Sequence, residues 1–334
     1  MIFNHPTMRL TRRRFIANSV LTTAGLYAGI TNANENLSIT SNKNDPPADD
    51  MSFKLSVFSK TLHWMDYQSM ASAMADLGFD GIDLTVRPEG HVLPELVTED
   101  LPKAYEIITK SGLRVYSIVT AISDADDPLT EKILKTARGL GIRLYRLGWF
   151  HYDDKLPIEE NLKNISGKMK KLEVLNKKYG MIGLNQNHSG QYFSAPIWDL
   201  AQTLKSCDPA GIGSQYDIYH ATVEGMNSWI YGFQMIQPYI KMINVKDFQW
   251  TKKDGVWKTE TVPMGEGAVN WKSYLELLKS SGMRVPISIH YEYPLGGAES
   301  GAKTITIPKE QIFAAMKKDL LFTKRILKES GLVS

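Results

Sequence analysis

Met181-Ile182-Gly183-Leu184-Asn185-Gln186-Asn187-His188-Ser189-Gly190 is a strand-length apolar run that ends in amides, an imidazole and a glycine. The construction recurs downstream. Ile212 to Tyr216 leads into Asp217-Ile218-Tyr219-His220, Ile240 to Ile243 into Asn244-Val245-Lys246-Asp247, and Val285 to Ile289 into His290-Tyr291-Glu292-Tyr293. A helix-length segment follows each cluster. Acids, imidazoles and an amine at the C-terminal ends of successive strands are the sequence pattern of a parallel barrel with its active site at that face.

Outward from these clusters the alternation continues in both directions. The pattern predicts strands at Lys54–Phe58, Gly81–Leu84, Arg114–Val119, Leu144–Leu147, Met181–Asn185, Gly213–Asp217, Lys241–Val245 and Ile287–Tyr291. It predicts helices at Tyr67–Leu77, Leu101–Ser111, Thr130–Leu140, Ile158–Tyr179, Ile197–Lys205, Ser228–Gln237, Trp271–Ser280 and Pro308–Lys328. Gly78, Gly112, Gly141 and Gly282 each follow a helix and precede an apolar strand entry, where a left-handed C-cap is expected. No Gly-rich phosphate loop follows the first strand, which disfavours an open doubly wound sheet. The expected fold is therefore an α/β single-domain (β/α)8 barrel over residues 52–334. Phe248 to Asn270, with Lys252-Lys253-Asp254-Gly255 between aromatic residues, reads as a two-stranded excursion or a lid over the mouth.

The N-terminus reads differently. Thr11-Arg12-Arg13-Arg14-Phe15-Ile16 precedes a broken apolar stretch that runs to Ile30, and Ala33 offers a cleavage point. This order resembles a twin-arginine export signal over residues 1–33, with an exposed linker at 34–51. The apolar stretch is too short and interrupted for a lasting membrane span. The expected location is periplasmic, with the export machinery as a partner. Residues 1–33 hold four arginines and no acid, so their removal leaves 35 basic residues of the 39 against 36 acidic ones. Net charge then gives a nucleic acid no purchase. Cys207 is the single cysteine, which excludes an internal disulfide.

Taken together, Gly81-Ile82-Asp83-Leu84, Gly90-His91-Val92, Gln186-Asn187-His188-Ser189-Gly190, Gln215-Tyr216-Asp217-Ile218-Tyr219-His220, Val245-Lys246-Asp247 and His290-Tyr291-Glu292 resemble the xylose isomerase-like barrels of the sugar (phosphate) isomerase/epimerase branch, over roughly residues 54–328. The resemblance implies a divalent metal held by Glu on strand five, Asp on strand six, His on strand seven and Glu on strand eight, with both Glu residues moving protons. Asp217 matches. Gln186, Asn244 and His290 stand at the other three positions. Gln and Asn cannot take up a proton near neutral pH, so a two-carboxylate epimerase mechanism does not carry over unchanged. Asp217, Gln186 and His290 are the expected metal ligands, and such an oxygen-rich set suits Mn, Mg or Zn.

Candidate catalytic residues are His290 and His188 as bases, Lys246 as the group that polarises a carbonyl, and Glu292 as an orienting or relaying carboxylate. His91, Trp149, His151, Asn187, His220 and Asn244 are expected to bind substrate. Each has a plainer reading. Asp217 could be a helix N-cap, His220 a packed loop residue, and Lys246-Asp247 a solvated ion pair. A charged pair inside a barrel needs a reason, which favours a site at His290 and Glu292. The expected activity is proton abstraction next to a carbonyl of a small carbohydrate, as in sugar isomerisation or epimerisation. β-Elimination from an oxidised sugar and a non-catalytic carbohydrate-binding barrel are the alternatives. An endonuclease-like barrel is disfavoured by charge and by too few acids. Oligomeric state is left open.

Overall fold

The computed structural model describes residues 51–334, so the expected export leader and linker lie outside the described residues, Met51 apart. Eight parallel strands close into a barrel: β1 (Leu55–Phe58), β2 (Gly81–Val86), β3 (Arg114–Thr120), β4 (Leu144–Arg146), β5 (Ile182–Gln186), β6 (Ile212–Asp217), β7 (Ile240–Val245) and β10 (Ile287–Ile289), the last pairing with both β7 and β1. Around them run α1 (Tyr67–Leu77), α2 (Val97–Lys110), α3 (Pro128–Gly139), α4 (Ile158–Tyr179), α5 (Ile197–Leu204), α6 (Ile218–Gly225), α7 (Trp229–Ile236), α8 (Trp271–Ser281) and α9 (Lys309–Glu329). The expected (β/α)8 barrel is what forms.

Strand periodicity divides the core in two. Val57, Ile82, Ile118, Ile243 and Ile289 join Met70, Leu101, Ile133 and Leu320 of the helices in one continuous apolar layer. Leu144, Leu184 and Met242 form a separate small cluster, with Met51 and Ile182 against it. Two residues further along their strands stand Arg146, Gln186 and Asn244, which share the same strand faces. The barrel is thus apolar at its floor and polar at its mouth. Asp66 caps α1 by accepting from the Ser69 N–H, and Gly78 ends that helix at φ 87°.

The sixth unit departs from the sequence reading. Its helical segment begins at Ile218, directly after β6, because Asp217 serves as N-cap to the His220 N–H at 3.3 Å. Met226, at φ 43°, interrupts the helical path, and α7 resumes at Trp229. Phe248 to Asn270 contains the two-stranded excursion: β8 (Asp247–Lys253) pairs antiparallel with β9 (Val256–Val262). Asp254 and Gly255 turn the hairpin with φ of 51° and 80°, the conformation an Asp-Gly pair accepts most readily.

Asp247 anchors this hairpin. Its buried carboxylate accepts from the N–H groups of Phe248, Gly265 and Val269 and from Trp271 Nε1 at 2.9–3.1 Å. The solvated ion pair considered for Lys246-Asp247 is therefore not formed; the two side chains serve different networks. Asp247→Ala would leave the buried N–H groups of Phe248 and Val269 without a partner, whereas Gly265 and Trp271 can turn to water, and the expected loss is about 3 kcal/mol in denaturant unfolding, each buried unsatisfied group costing about 1–3 kcal/mol. A loss below about 1 kcal/mol would contradict the anchoring role.

Candidate active site

A cavity of about 170 Å3 opens at the C-terminal ends of the strands, lined by Phe58, Lys60, Arg87, Arg146, Trp149, Gln186, His188, Tyr192, Lys246, His290 and Glu292. A larger hollow, about 280 Å3, lies at the opposite rim among Val115, Leu144, Ile182 and Val285, and no His, Asp or Glu lines it. Acid–base chemistry therefore belongs to the smaller one.

At the centre of the mouth is the ammonium of Lys246, which is 1% exposed. It donates to Glu292 Oε2 at 2.7 Å and lies 3.5 Å from Asp217 Oδ2. Burial pulls this amine's pKa down, but Asp217 and Glu292 together more than offset it, so it stays charged. Burial also pushes up the Asp217 carboxyl, against Lys246, whereas Glu292, despite its own desolvation, is held well below the usual range by Lys246 and Lys60. Lys60 donates to the other oxygen of Glu292 at 3.1 Å. The ring of Tyr219 backs the ammonium at 4.9 Å.

His290 stacks on Phe58, centroids 4.5 Å apart, and its Nδ1 lies 3.9 Å from Glu292 Oε1. Both its ring nitrogens are buried and have no hydrogen-bond partner. Burial, then Lys246, drives its pKa well below the ordinary histidine value, so the ring is a neutral base at neutral pH. His188 donates from Nδ1 to the Ser189 carbonyl at 2.9 Å, which leaves Nε2 with its lone pair. Burial lowers its pKa to about 4. Trp149 and Tyr192 pack against His188, with centroids 4.9 and 4.6 Å away.

The structure thus brings His290, His188, Lys246, Glu292, Gln186 and Trp149 to one cavity, with Asp217 directly behind. The five other expected substrate binders are placed otherwise. His91 sits in the barrel wall: Nδ1 is 3.2 Å from Ser59 Oγ, and Nε2 is 3.0 Å from the Leu62 carbonyl. Asn187 grips the backbone of Asp217, donating to its carbonyl at 2.9 Å and accepting from its N–H at 2.8 Å. Asn244 is not among the residues lining the cavity; in register with Ser288, it accepts from Gln215 Nε2 at 2.7 Å. His151 is exposed outside the cavity lining, bridged to Tyr192. His220 is buried behind His188, 3.8 Å from it, with Nδ1 2.8 Å from Ser189 Oγ. Lys60, Arg87 and Arg146 line the cavity without having been singled out from the sequence. The reasoning that isolated Glu292, that an inward charge needs a purpose, applies equally to Arg146 on β4.

The donors at the expected metal position do not fit a divalent cation. Gln186 Oε1 accepts from Arg146 Nη1 at 3.0 Å, while Gln186 Nε2 donates to Asp217 Oδ2 at 2.8 Å. The Asn244 amide oxygen is already occupied by Gln215, and the Lys246 ammonium holds the space beside Asp217. Among the described residues no three His, Cys, Asp or Glu side chains converge as ligands. A dication would meet Lys246 and Arg146 before it met a second free carboxylate.

The sequence profile of the xylose isomerase-like TIM barrel family matches residues 66–310. Among solved structures, the IOLI protein with a bound zinc atom is 16% identical, with 83% of this chain and 99% of that chain covered at a TM-score of 0.63. D-psicose 3-epimerase from Clostridium cellulolyticum H10, with D-tagatose, is 11% identical over 82% of this chain and 99% of that one, TM-score 0.62. The 3-keto-D-glucoside 4-epimerase from E. coli is 12% identical over 82% and 99%, TM-score 0.59. At these identities the likeness shows the fold. No curated protein sequence matches.

The buried histidines set a pH dependence for stability. His63 is pulled to about 4 and His91 to about 3, chiefly by burial, and His188, His220 and His290 move in the same direction. Below the ordinary value near 6.5 the unfolded chain takes up protons that the folded chain refuses. Stability is complete above that value and is lost as pH falls towards the folded-state values. Urea midpoints should drop between about pH 7 and about pH 5; a flat profile would contradict neutral burial.

Proposed function

Because the chain belongs to the xylose isomerase-like TIM barrel family, we propose that it is an enzyme that moves a carbon-bound proton next to a carbonyl of a small carbohydrate, as a sugar isomerase or epimerase does. The observation that carries this is His290, a neutral imidazole with both nitrogens unpartnered, facing the same cavity as the fixed ammonium of Lys246. A base and a positive charge a few ångströms apart are what enolisation requires.

In this reading His290 removes the proton and becomes an imidazolium, which the Glu292 carboxylate 3.9 Å away stabilises. Lys246 meets the charge that develops on the carbonyl oxygen. The Lys246 ammonium has three donors, and its carboxylate neighbours orient it without neutralising all of them. Trp149 and Tyr192 offer faces for the C–H side of a sugar ring. Returning the proton to the adjacent carbon of the enediol, while the hydroxyl proton passes to the former carbonyl oxygen, gives isomerisation; epimerisation needs a proton from a second group on the opposite face, and His188 lines the same cavity. No step requires a metal, because Lys246 already supplies a cation at the position where the donor set disfavours one.

β-Elimination from an oxidised sugar is the second reading. It needs one base and one oxyanion stabiliser, and the one carboxylate among the lining residues, Glu292, is held by two lysines instead of being free to shuttle a second proton. Export by the twin-arginine route, proposed from Arg12-Arg13 and the following Phe15, puts the enzyme in the periplasm, where unphosphorylated sugars are the available substrates.

Incubation of free and 3-oxidised hexoses with the protein in deuterated water should show deuterium entering carbon. His290→Gln should reduce that rate about 10²–10⁴-fold, the usual contribution of a general base. Binding of sugar with no exchange by the wild type would leave only a carbohydrate-binding barrel. Treatment with a strong chelator should leave the exchange rate unchanged; abolition reversed by added Mn or Zn would overturn the metal-free reading.

A further inference from the structure

Phe58, at the end of β1, carries three cations around one ring: Lys60 Nζ, Arg87 Cζ and Arg146 Cζ lie 5.8, 5.6 and 5.7 Å from its centroid. Lys246 adds a fourth positive charge to the cavity lining, where Glu292 is the one carboxylate. Asp217 and Asp83 lie behind, fully buried. Glu89, on the chain beside Arg87, acts on its guanidinium as well, so the acids around the cavity balance the four cations in number, but only Glu292 is among the lining residues.

Among the described residues neither guanidinium group is hydrogen-bonded or ion-paired to any of these acids. Lys60 and Lys246 both donate to Glu292. Arg146, 4% exposed, makes one hydrogen bond, to the neutral amide of Gln186, and its buried Nε has no partner. Arg87 is half-buried, and among the described residues its guanidinium makes no hydrogen bond or ion pair. Such groups stay charged at any physiological pH, and leaving them desolvated and unpaired is unfavourable. Their mutual repulsion is visible in Arg146, which burial and then Arg87 pull down to about 9. Arg146 also lies 4.8 Å over the Trp149 ring, but neither this contact nor that with Phe58 brings the guanidinium groups a negative partner; an incoming anion does. Two planar forks match the geometry of a carboxylate.

We propose that the substrate is a sugar acid whose carboxylate is held by Arg87 and Arg146 against Phe58. The assignment of a sugar rests on the reading of the site given above; the assignment of an anion rests on two cavity-lining guanidinium groups that no carboxylate partners.

Calorimetric titration of the protein with a panel of hexuronates and aldonates, their neutral hexose counterparts and the hexose 6-phosphates tests it. At least one acid should bind roughly tenfold or more tightly than its neutral counterpart, in line with charge-assisted hydrogen bonds. Arg87→Gln should erase that preference, and Arg87→Lys should keep part of it. Failure of every acid to bind, a preference for the 6-phosphates, or an equal loss for acid and neutral sugars in Arg87→Gln would overturn the proposal. Deuterium exchange on the same panel separates the two readings. Exchange on neutral sugars without any acid preference would sink only the anion, and tight acid binding without exchange would sink only the chemistry.

Discussion

The buried ammonium of Lys246, clamped between Glu292 and Asp217, is the contact on which the barrel mouth depends. It ties the end of β7 to the ends of β6 and β10, and through Glu292 to Lys60 beyond β1. Removing one partner from such a buried cluster typically costs about 3–5 kcal/mol, because a charge is left desolvated and alone. The cluster also fixes the acid–base properties around it. The positive charge of Lys246 helps keep His290 and His188 neutral and draws Glu292 into its ionised form.

A polar mouth over an apolar floor explains how one barrel serves both stability and chemistry. Leu144, Leu184 and Met242 close the base, so the upper residues need not pack the barrel. Gln186 illustrates the consequence. Its amide joins Arg146 to Asp217, linking cation to anion without carrying charge itself. A glutamate at this position could ligate a metal; a glutamine here serves a network of fixed charges.

Much of this was legible in the sequence. The strand–helix alternation gave the barrel because each parallel strand is buried on both faces and each helix on one, which leaves unmistakable apolar runs. The position of Lys246, His290 and Glu292 near one another followed from strand-end placement alone. What was not legible were hydrogen bonds across strands. Asn187 looked like a pocket residue from its neighbours, yet its amide pairs with the Asp217 backbone. His91 stood beside a glycine at a strand end, and only the fold shows Ser59 and Leu62 closing over it. Asp217 fills both roles weighed for it, helix N-cap and site residue, but the short helix from Ile218 follows the strand with no polar linker to mark its start.

Arg146 marks the other limit. A lone arginine within a three-residue strand carries little periodic signal, and its importance appears only when Arg87 and Phe58 arrive from two other strands. Cation placement, not motif, distinguishes this mouth. The most direct test of that account is X-ray diffraction from crystals grown with millimolar manganese, recorded at the metal's absorption edge. The account expects no anomalous peak beside Asp217 and clear density for the Lys246 side chain reaching Glu292. A manganese ion bound to Asp217 and His290, with Lys246 turned away, would contradict it.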